Sequence, residues 1–509
     1  MVTSPGSKQP ETGRAVKGAG APSTDHCWLY WTWCVKMDGY KTVIDSLRAS
    51  FRSGFSLPEQ FRLDQLEALV TLIRENEKQI LEALYKDLGK PKFEAILSEI
   101  DMVMNELSFA IHNLKTWMAP EYVTKNLATK LDHCFVHREP LGVVLIIGTW
   151  NYPFQLILLP LVAAIAAGNC AILKPSEISP ATEKLLVDLI PKYLSQKCYA
   201  VICGGAEETK KLLENKFDHI FYTGSQKVAR SILQAAAVHL TPVTLELGGK
   251  CPCLIYGNLD IKAAAKRLAW AKFFNAGQSC VAPDYVLCNR EMREALVPAL
   301  RQALEDFYSP RPRECADIGR IVSERHWTRL ADLLQRSTGT VVIGGETDKE
   351  EKYIAPTVLV DVPETDALME EEIFGPILPI ICIDTLADGV NFINAREKPL
   401  ALYVFSDESK VVTTVLEQTS SGGFCSNDGI VHMSLPGLPF GGVGNSGMGS
   451  YHGRWGFETF SHRRACMLRG WGLERINVLR YPPYTEGNLG WLRWATGSKR
   501  KGWGSCSLM

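Results

Sequence analysis

A chain of 509 residues, 46% hydrophobic and 22% charged, has the balance of a globular protein with a large core, enough for about three domains. A net charge of −1 leaves no global electrostatic case for a nucleic-acid or acidic partner. Fifteen cysteines are too sparse for a disulfide scaffold and form no CxxC pair (Cys251-Pro-Cys253 comes nearest), so tetrahedral zinc has no ligand set.

Residues 1–36 are rich in Gly, Pro, Ser, Thr and Lys and end in an aromatic patch at 28–34. The patch is too short to span a bilayer and lacks the basic lead of a signal peptide, so a flexible extension is expected, with the folded body starting near Met37. Residues 41–119 alternate charged and apolar positions at helical spacing, which predicts amphipathic helices. The long apolar stretch 143–173 is interrupted by Asn151, Pro153, Gln155, Pro160, Gly168 and Asn169. It therefore reads as strand, turn, helix and strand in a buried core, not as a transmembrane helix. Its second strand, 170–173, ends at Lys174-Pro-Ser-Glu177. A helix (181–194), a strand (199–203), a helix (207–215) and a strand (218–222) follow, the last running into Thr223-Gly224-Ser225 and a further helix.

This β-α-β-α-β rhythm predicts an α/β fold built on a doubly wound parallel sheet, whose ligands sit beyond the carboxyl ends of the strands. Asn151, Lys174, Glu177 and Ser225 lie at such ends. A second α/β segment runs from Leu247-Gly248-Gly249 to about residue 430, with strand-like runs at 341–343 and 378–382. No internal repeat is present. The last 45 residues lack helical periodicity and contain Pro482-Pro483, so an extended tail is expected.

Three groups suggest chemistry. Cys280 ends the turn Phe273-Phe-Asn-Ala-Gly-Gln-Ser-Cys280, where a thiol is accessible and ionisable. Glu246, in Glu246-Leu-Gly-Gly-Lys250, precedes it by 34 positions and offers a base for thiol or water. Asn151, in Gly148-Thr-Trp-Asn-Tyr-Pro153, offers a side-chain amide suited to an oxyanion. Gly442-Val-Gly444-Asn-Ser-Gly447 matches GxGxxG, but no βαβ unit with an acidic residue about 20 positions on follows it, so the dinucleotide reading fails. His432 is given no role, and Tyr152 is left between a substrate entrance and packing.

Taken in order, TWNYP, LKPSE, FYTGS, LELGGK, FFNAGQSC, EEIFGP and PFGGVGNSGMG resemble the aldehyde dehydrogenase superfamily over about residues 40–465, in the pattern of class 3, B-type members that end in a prenylation box. The resemblance implies oxidation of medium- and long-chain fatty aldehydes to carboxylic acids. Cys280 would attack the aldehyde, Asn151 and the Cys280 backbone N–H would bind the oxyanion, and Glu246 would activate water against the resulting thioester. It assigns Lys174 and Glu177 to the adenosine ribose, Gly224 and Ser225 to the pyrophosphate turn, Glu372 to the nicotinamide ribose and Phe374 to the ring. Glu177 disfavours a 2′-phosphate, so NAD is expected, with NADP the alternative. The glycine-rich turn at 442–447 would lie near the substrate.

The pattern is broken mildly at Thr149 and Ser279. It is also broken at Ala229, where glycine is usual and where a methyl facing pyrophosphate would loosen cofactor binding. The expected division is an extension (1–36), an NAD-binding domain (37–245, with a bridging hairpin near 120–142), a catalytic domain (246–432), a bridging or oligomerisation segment (433–465) and the tail (466–509). The resemblance implies a homodimer. A thiol esterase using Cys280 and Glu246 without cofactor, and a silent lipid-surface scaffold, are the rival readings.

The chain ends Cys506-Ser-Leu-Met509, a C-a-a-X box with Cys506 as prenyl acceptor. Residues 461–509 carry nine Lys/Arg against two Asp/Glu, a local charge of +7. Lys499-Arg-Lys501 lies just before the box, among Trp491, Trp494 and Trp503. Aromatic and basic residues supply the second signal that a single prenyl chain needs at a membrane. The expected location is the cytoplasmic face of the plasma membrane or a lipid droplet; terminal Met favours farnesyl, whereas the B-type resemblance implies geranylgeranyl.

Overall fold

The computed structural model describes residues 39–497; the N-terminal extension, Lys499-Arg-Lys501, Trp503 and Cys506 lie outside the described residues. The amphipathic segment forms helices Gly39–Arg52, Glu59–Leu88 and Asp101–Met118. Their apolar faces bury Leu47, Leu66, Leu69, Ile73, Ile80, Leu84, Val103 and Leu107. Between the last two helices lies a π-helical turn, Ile96–Ile100. Its altered spacing places Glu99 in the interior, a common reason for such a turn near a functional site.

Strands β1 (Glu121–Tyr122) and β2 (His133–Pro140) pair antiparallel as an arm. The chain then builds β3 (Val143–Ile147), β4 (Cys170–Lys174), β5 (Tyr199–Val201), β6 (His219–Gly224) and β7 (Val243–Leu247) as a parallel sheet. Helix Gln155–Ala167 connects β3 to β4 and is buried at every position, as its all-round apolar sequence requires. It stops at Gly168, whose φ of 94° is the left-handed conformation that glycine tolerates.

A second sheet contains β8 (Pro252–Ile255), β9 (Tyr285–Cys288), β10 (Thr340–Ile343), β13 (Thr357–Val360), β14 (Ile377–Cys382), β15 (Ala401–Phe405) and β16 (Gly423–Ser426), in the order β10-β13-β14-β9-β8-β15-β16. All its pairs are parallel except the edge pair β10–β13. Strands β11 (Thr347–Asp348) and β12 (Tyr353–Ile354) form a separate ladder. The chain then returns: β17 (Gly447–Met448) joins the first sheet beside β7, giving β17-β7-β6-β3-β4-β5, and β18 (Ser461–Leu468) pairs along the full length of β2.

Two expectations change. The boundary at 246 falls inside β7, so Glu246 belongs to the first sheet and the chain crosses over at Gly248-Gly249. The segment from 466 is not simply extended. Strand β18 continues to Leu468, and helices Glu474–Asn477 and Glu486–Thr496 follow, the latter capped by the Thr485 hydroxyl accepting from the Asn488 N–H. A short capped helix with Gly487 and Gly490 inside carries too weak a periodicity to be read from sequence.

Candidate active site

The loop before Cys280 is held in an unusual backbone conformation. Asn275, Ala276 and Gly277 are all left-handed, with φ of 54°, 53° and 71°. Two non-glycine residues in that region cost strain that surrounding bonds must offset. The Asn275 N–H donates to Glu94 Oε2 at 2.9 Å, and the Asn275 amide donates to the backbone oxygens of Asn151 and Gln278. Gln278 donates to the Asn275 and Arg320 carbonyls and accepts from the Val322 N–H. Gly277 packs so closely on Gly375 that a Cβ would overlap the Gly375 carbonyl, which locks this loop to the Glu371-Glu-Ile-Phe-Gly-Pro376 loop. The Cys280 thiol emerges half-buried at the end of this clamp.

Asn151 is 1% exposed, and its Nδ2 donates to the Gln278 carbonyl at 3.0 Å. An amide nitrogen carries two N–H bonds, so one remains for a further acceptor. Below it, Lys90 and Glu99 form an ion pair with no exposed side-chain surface. Lys90 also donates to the Asn151 carbonyl at 3.1 Å, and Glu99 accepts the Phe154 and Gln155 N–H groups at 3.1 and 3.0 Å. Those N–H groups begin helix Gln155–Ala167, where a carboxylate is favoured. Tyr152 is buried, with the Lys90 ammonium 4.4 Å from its ring centre.

Glu246 is 3% exposed and neither carboxylate oxygen has a hydrogen-bond partner. Burial holds its pKa well above the carboxylate range. Glu372 rests against Gly248, where a Cβ would overlap its carboxylate; burial, with Asp284 adding, raises it to about 8. Burial also pushes the Cys280 thiol up, and the charges of Glu372 and Glu246 add to the effect. Phe374, left-handed at φ 54°, meets Trp150 edge-on at 5.2 Å.

The remaining positions lie along the carboxyl ends of the first sheet. Lys174, the last residue of β4, bonds Glu177 at 2.8 Å. Gly224 ends β6 against the Tyr222 hydroxyl, and Ser225 caps helix Gln226–His239 by accepting from the Val228 N–H. The exposed start of that helix presents unpaired N–H groups suited to phosphate. Ala229 does not face it: its methyl is 2% exposed and packs in the core with Ile232 and Ala236. The turn at 442–447 folds back on itself, Gly442 against the Ser446 carbonyl, and brings Gly447 into register with Glu246. A helix N-terminus, a Lys–Glu pair and a glycine cradle holding a carboxylate, all on one sheet edge, fit a dinucleotide.

Residues 21–466 match the aldehyde dehydrogenase family model. The chain belongs to the aldehyde dehydrogenase family. Among curated aldehyde dehydrogenases, it is 54% identical over 469 residues to aldehyde dehydrogenase family 3 member B2 of Mus musculus, covering 92% of this chain and 96% of that one. It is 56% identical over 453 residues to family 3 member B1 of Bos taurus, covering 89% and 96%. Of solved structures, an aldehyde dehydrogenase of Staphylococcus aureus in a substrate-bound state superimposes with a TM-score of 0.87 at 41% identity, over 90% of this chain and 99% of that chain. An aldehyde dehydrogenase of Mycobacterium tuberculosis complexed with NAD+ does so with a TM-score of 0.77 at 28% identity, over 86% and 91%. The class 3, B-type resemblance and the α/β fold both hold, and the protein is an aldehyde dehydrogenase enzyme. Lys90, Glu94 and Glu99 escape sequence reading because charged residues among amphipathic helices look like a solvated face. Asn275 and Gln278 stand inside the cysteine motif, and two amide side chains in that turn are the signal available in the sequence.

Proposed function

We propose that this aldehyde dehydrogenase oxidises medium- and long-chain fatty aldehydes through a thioester on Cys280, with NAD+ as oxidant, at a membrane to which a prenylated Cys506 holds it. The observation that carries the chemistry is a half-buried thiol whose loop is bonded by the Asn151 amide and whose proton affinity the Glu372 and Glu246 charges raise. Cys280 gives its thiol proton to solvent before attack, and Glu246, whose proton affinity burial raises, is suited to serve afterwards as the base toward water. The thiolate forms its bond to the aldehyde carbon, and the carbonyl oxygen becomes an oxyanion facing the free Asn151 N–H and the Cys280 backbone N–H. Oxidation requires a hydride acceptor, which the nicotinamide supplies when bound. The Glu246 carboxylate then takes a proton from water, whose oxygen attacks the thioester and releases the carboxylic acid and the thiolate, and Glu246 passes that proton to solvent.

Lys174, Glu177, Gly224, Ser225, Glu372 and Phe374 are the residues proposed to hold the cofactor; the Glu177 carboxylate favours ribose hydroxyls over a 2′-phosphate. Membrane placement is supported by the exposed Trp471, Leu473, Ile476, Val478, Tyr484, Trp491 and Trp494 and by the basic residues around them. A homodimer is proposed with them, the exposed β18 edge being available for it. The test is Glu246→Gln incubated with a long-chain aldehyde and NAD+, followed by peptide mapping. An acyl group on Cys280, released by hydroxylamine, is expected; wild type making no acid and the variant carrying no acyl group contradicts the proposal.

A further inference from the structure

Directly behind the nucleophile lies a second thiol that the mechanism does not use. Cys251 is fully buried between two strands, and its Sγ donates to the Cys280 carbonyl at 3.3 Å. The same sulfur accepts the Ala401 N–H at 3.3 Å, which fixes its rotamer toward the Cys280 backbone. Cys280 itself packs against the apolar cluster that contains Cys251. Both are free thiols, and the residue before Cys280 is serine, so no vicinal partner competes.

We propose that Cys251 is a resolving cysteine, which closes a reversible disulfide with Cys280 when the active-site thiolate meets a hydroperoxide. This rests on Cys280 being the reactive thiol. The oxidant class is an organic hydroperoxide, ROOH, including lipid hydroperoxides of the same apolar character as the proposed substrates. The Cys280 thiolate attacks the distal oxygen, the O–O bond breaks, and the leaving alkoxide takes a proton as ROH, which leaves Cys280 as a sulfenic acid. The Cys251 sulfur then attacks the Cys280 sulfur. The S–S bond forms, the S–O bond breaks, and hydroxide departs with the Cys251 proton as water. Two thiols have together lost two electrons, and ROOH has become ROH and water. The sulfenic acid is thereby diverted from the irreversible sulfinic acid. Burial slows attack by a thiol, but Cys251 is already in contact with the backbone of the residue its sulfur must reach.

The experiment treats full-length wild type and Cys251→Ser with tert-butyl hydroperoxide in the absence of cofactor. Serine keeps a donor for the Cys280 carbonyl, so activity before oxidation is expected to match wild type; loss of that activity in Cys280→Ala reads the functional proposal separately. Oxidised wild type should yield a peptide pair linking Cys251 and Cys280, and dithiothreitol should restore its activity. Cys251→Ser should recover about tenfold less, with Cys280 found as sulfinic acid. Equal recovery in the two proteins, a Cys280 link to any other cysteine, or wild-type Cys280 passing straight to sulfinic acid would overturn the proposal. Mapping of wild type alone decides the matter should the serine variant fail to fold.

Discussion

Asn151 carries two N–H bonds on one nitrogen, and the Gln278 carbonyl uses one of them. Removing the amide should therefore strip an oxyanion donor while leaving the backbone support from Lys90 in place. Asn151→Ala is expected to lower kcat by about 10²–10³-fold with little change in folding, measured by steady-state kinetics and thermal melting. Lys90 behaves differently. Its partner Glu99 is equally buried, so Glu99→Ala leaves an uncompensated ammonium in the core and should cost about 3–5 kcal/mol in denaturant melts. Glu372 gives a pH signature. Its folded pKa of about 8 lies above the ordinary value, so the folded state holds a proton that the unfolded chain has released. That contribution to stability is fully present below about pH 4.3 and is lost as pH rises to about 8. Glu372→Gln should thus melt progressively higher than wild type across this window and by a constant margin above it. At this scale Asn151, Glu246 and Cys280 are legible because each sits in a short motif. Lys90 and Glu99 are not, because what buries them is a π turn and a helix terminus more than fifty residues away.

The elements were read most faithfully where pattern and packing agree. Strands β3, β4 and β6 are short apolar runs with turn residues at both ends, and nothing tertiary shifts them. The start of helix Gln155–Ala167 has no signature in the sequence, because Pro160 lies inside it and an apolar sequence on every side has no periodicity to count. Gly277 shows what a motif cannot reveal. Its glycine is required by a positive φ and by the Gly375 carbonyl, which comes from a loop nearly a hundred residues away. Gly277→Ala should destabilise by about 1–3 kcal/mol or more and lower Cys280 reactivity, read by melting and by the rate of iodoacetamide labelling. Ala229→Gly gives the opposite lesson. Since the methyl is in the helix-to-sheet core, the change should cost about 1 kcal/mol of helix stability without tightening the KM for NAD+.

For the whole molecule, the two sheets and the returning β17 explain why the site is made from distant pieces. Glu246 comes from the first sheet, Cys280 from the approach to β9 in the second, and the glycine turn that pairs with Glu246 from the end of the chain. The doubly wound rhythm was readable; the return of β17 and β18 to strands laid down hundreds of residues earlier was not, since pairing at that separation leaves no local pattern. The tail carries the proposal about location. Cys506→Ser, made in cells that prenylate, should move the enzyme from membrane to supernatant and leave turnover of a short, soluble aldehyde unchanged, measured by fractionation and assay. The central claim is that Cys280 is the nucleophile of a cofactor-dependent aldehyde oxidation. Its most direct test is NADH formation from a long-chain aldehyde by wild type and by Cys280→Ala. The account predicts steady NADH production by wild type and none by the folded variant; NADH formation at a comparable rate by both would contradict it.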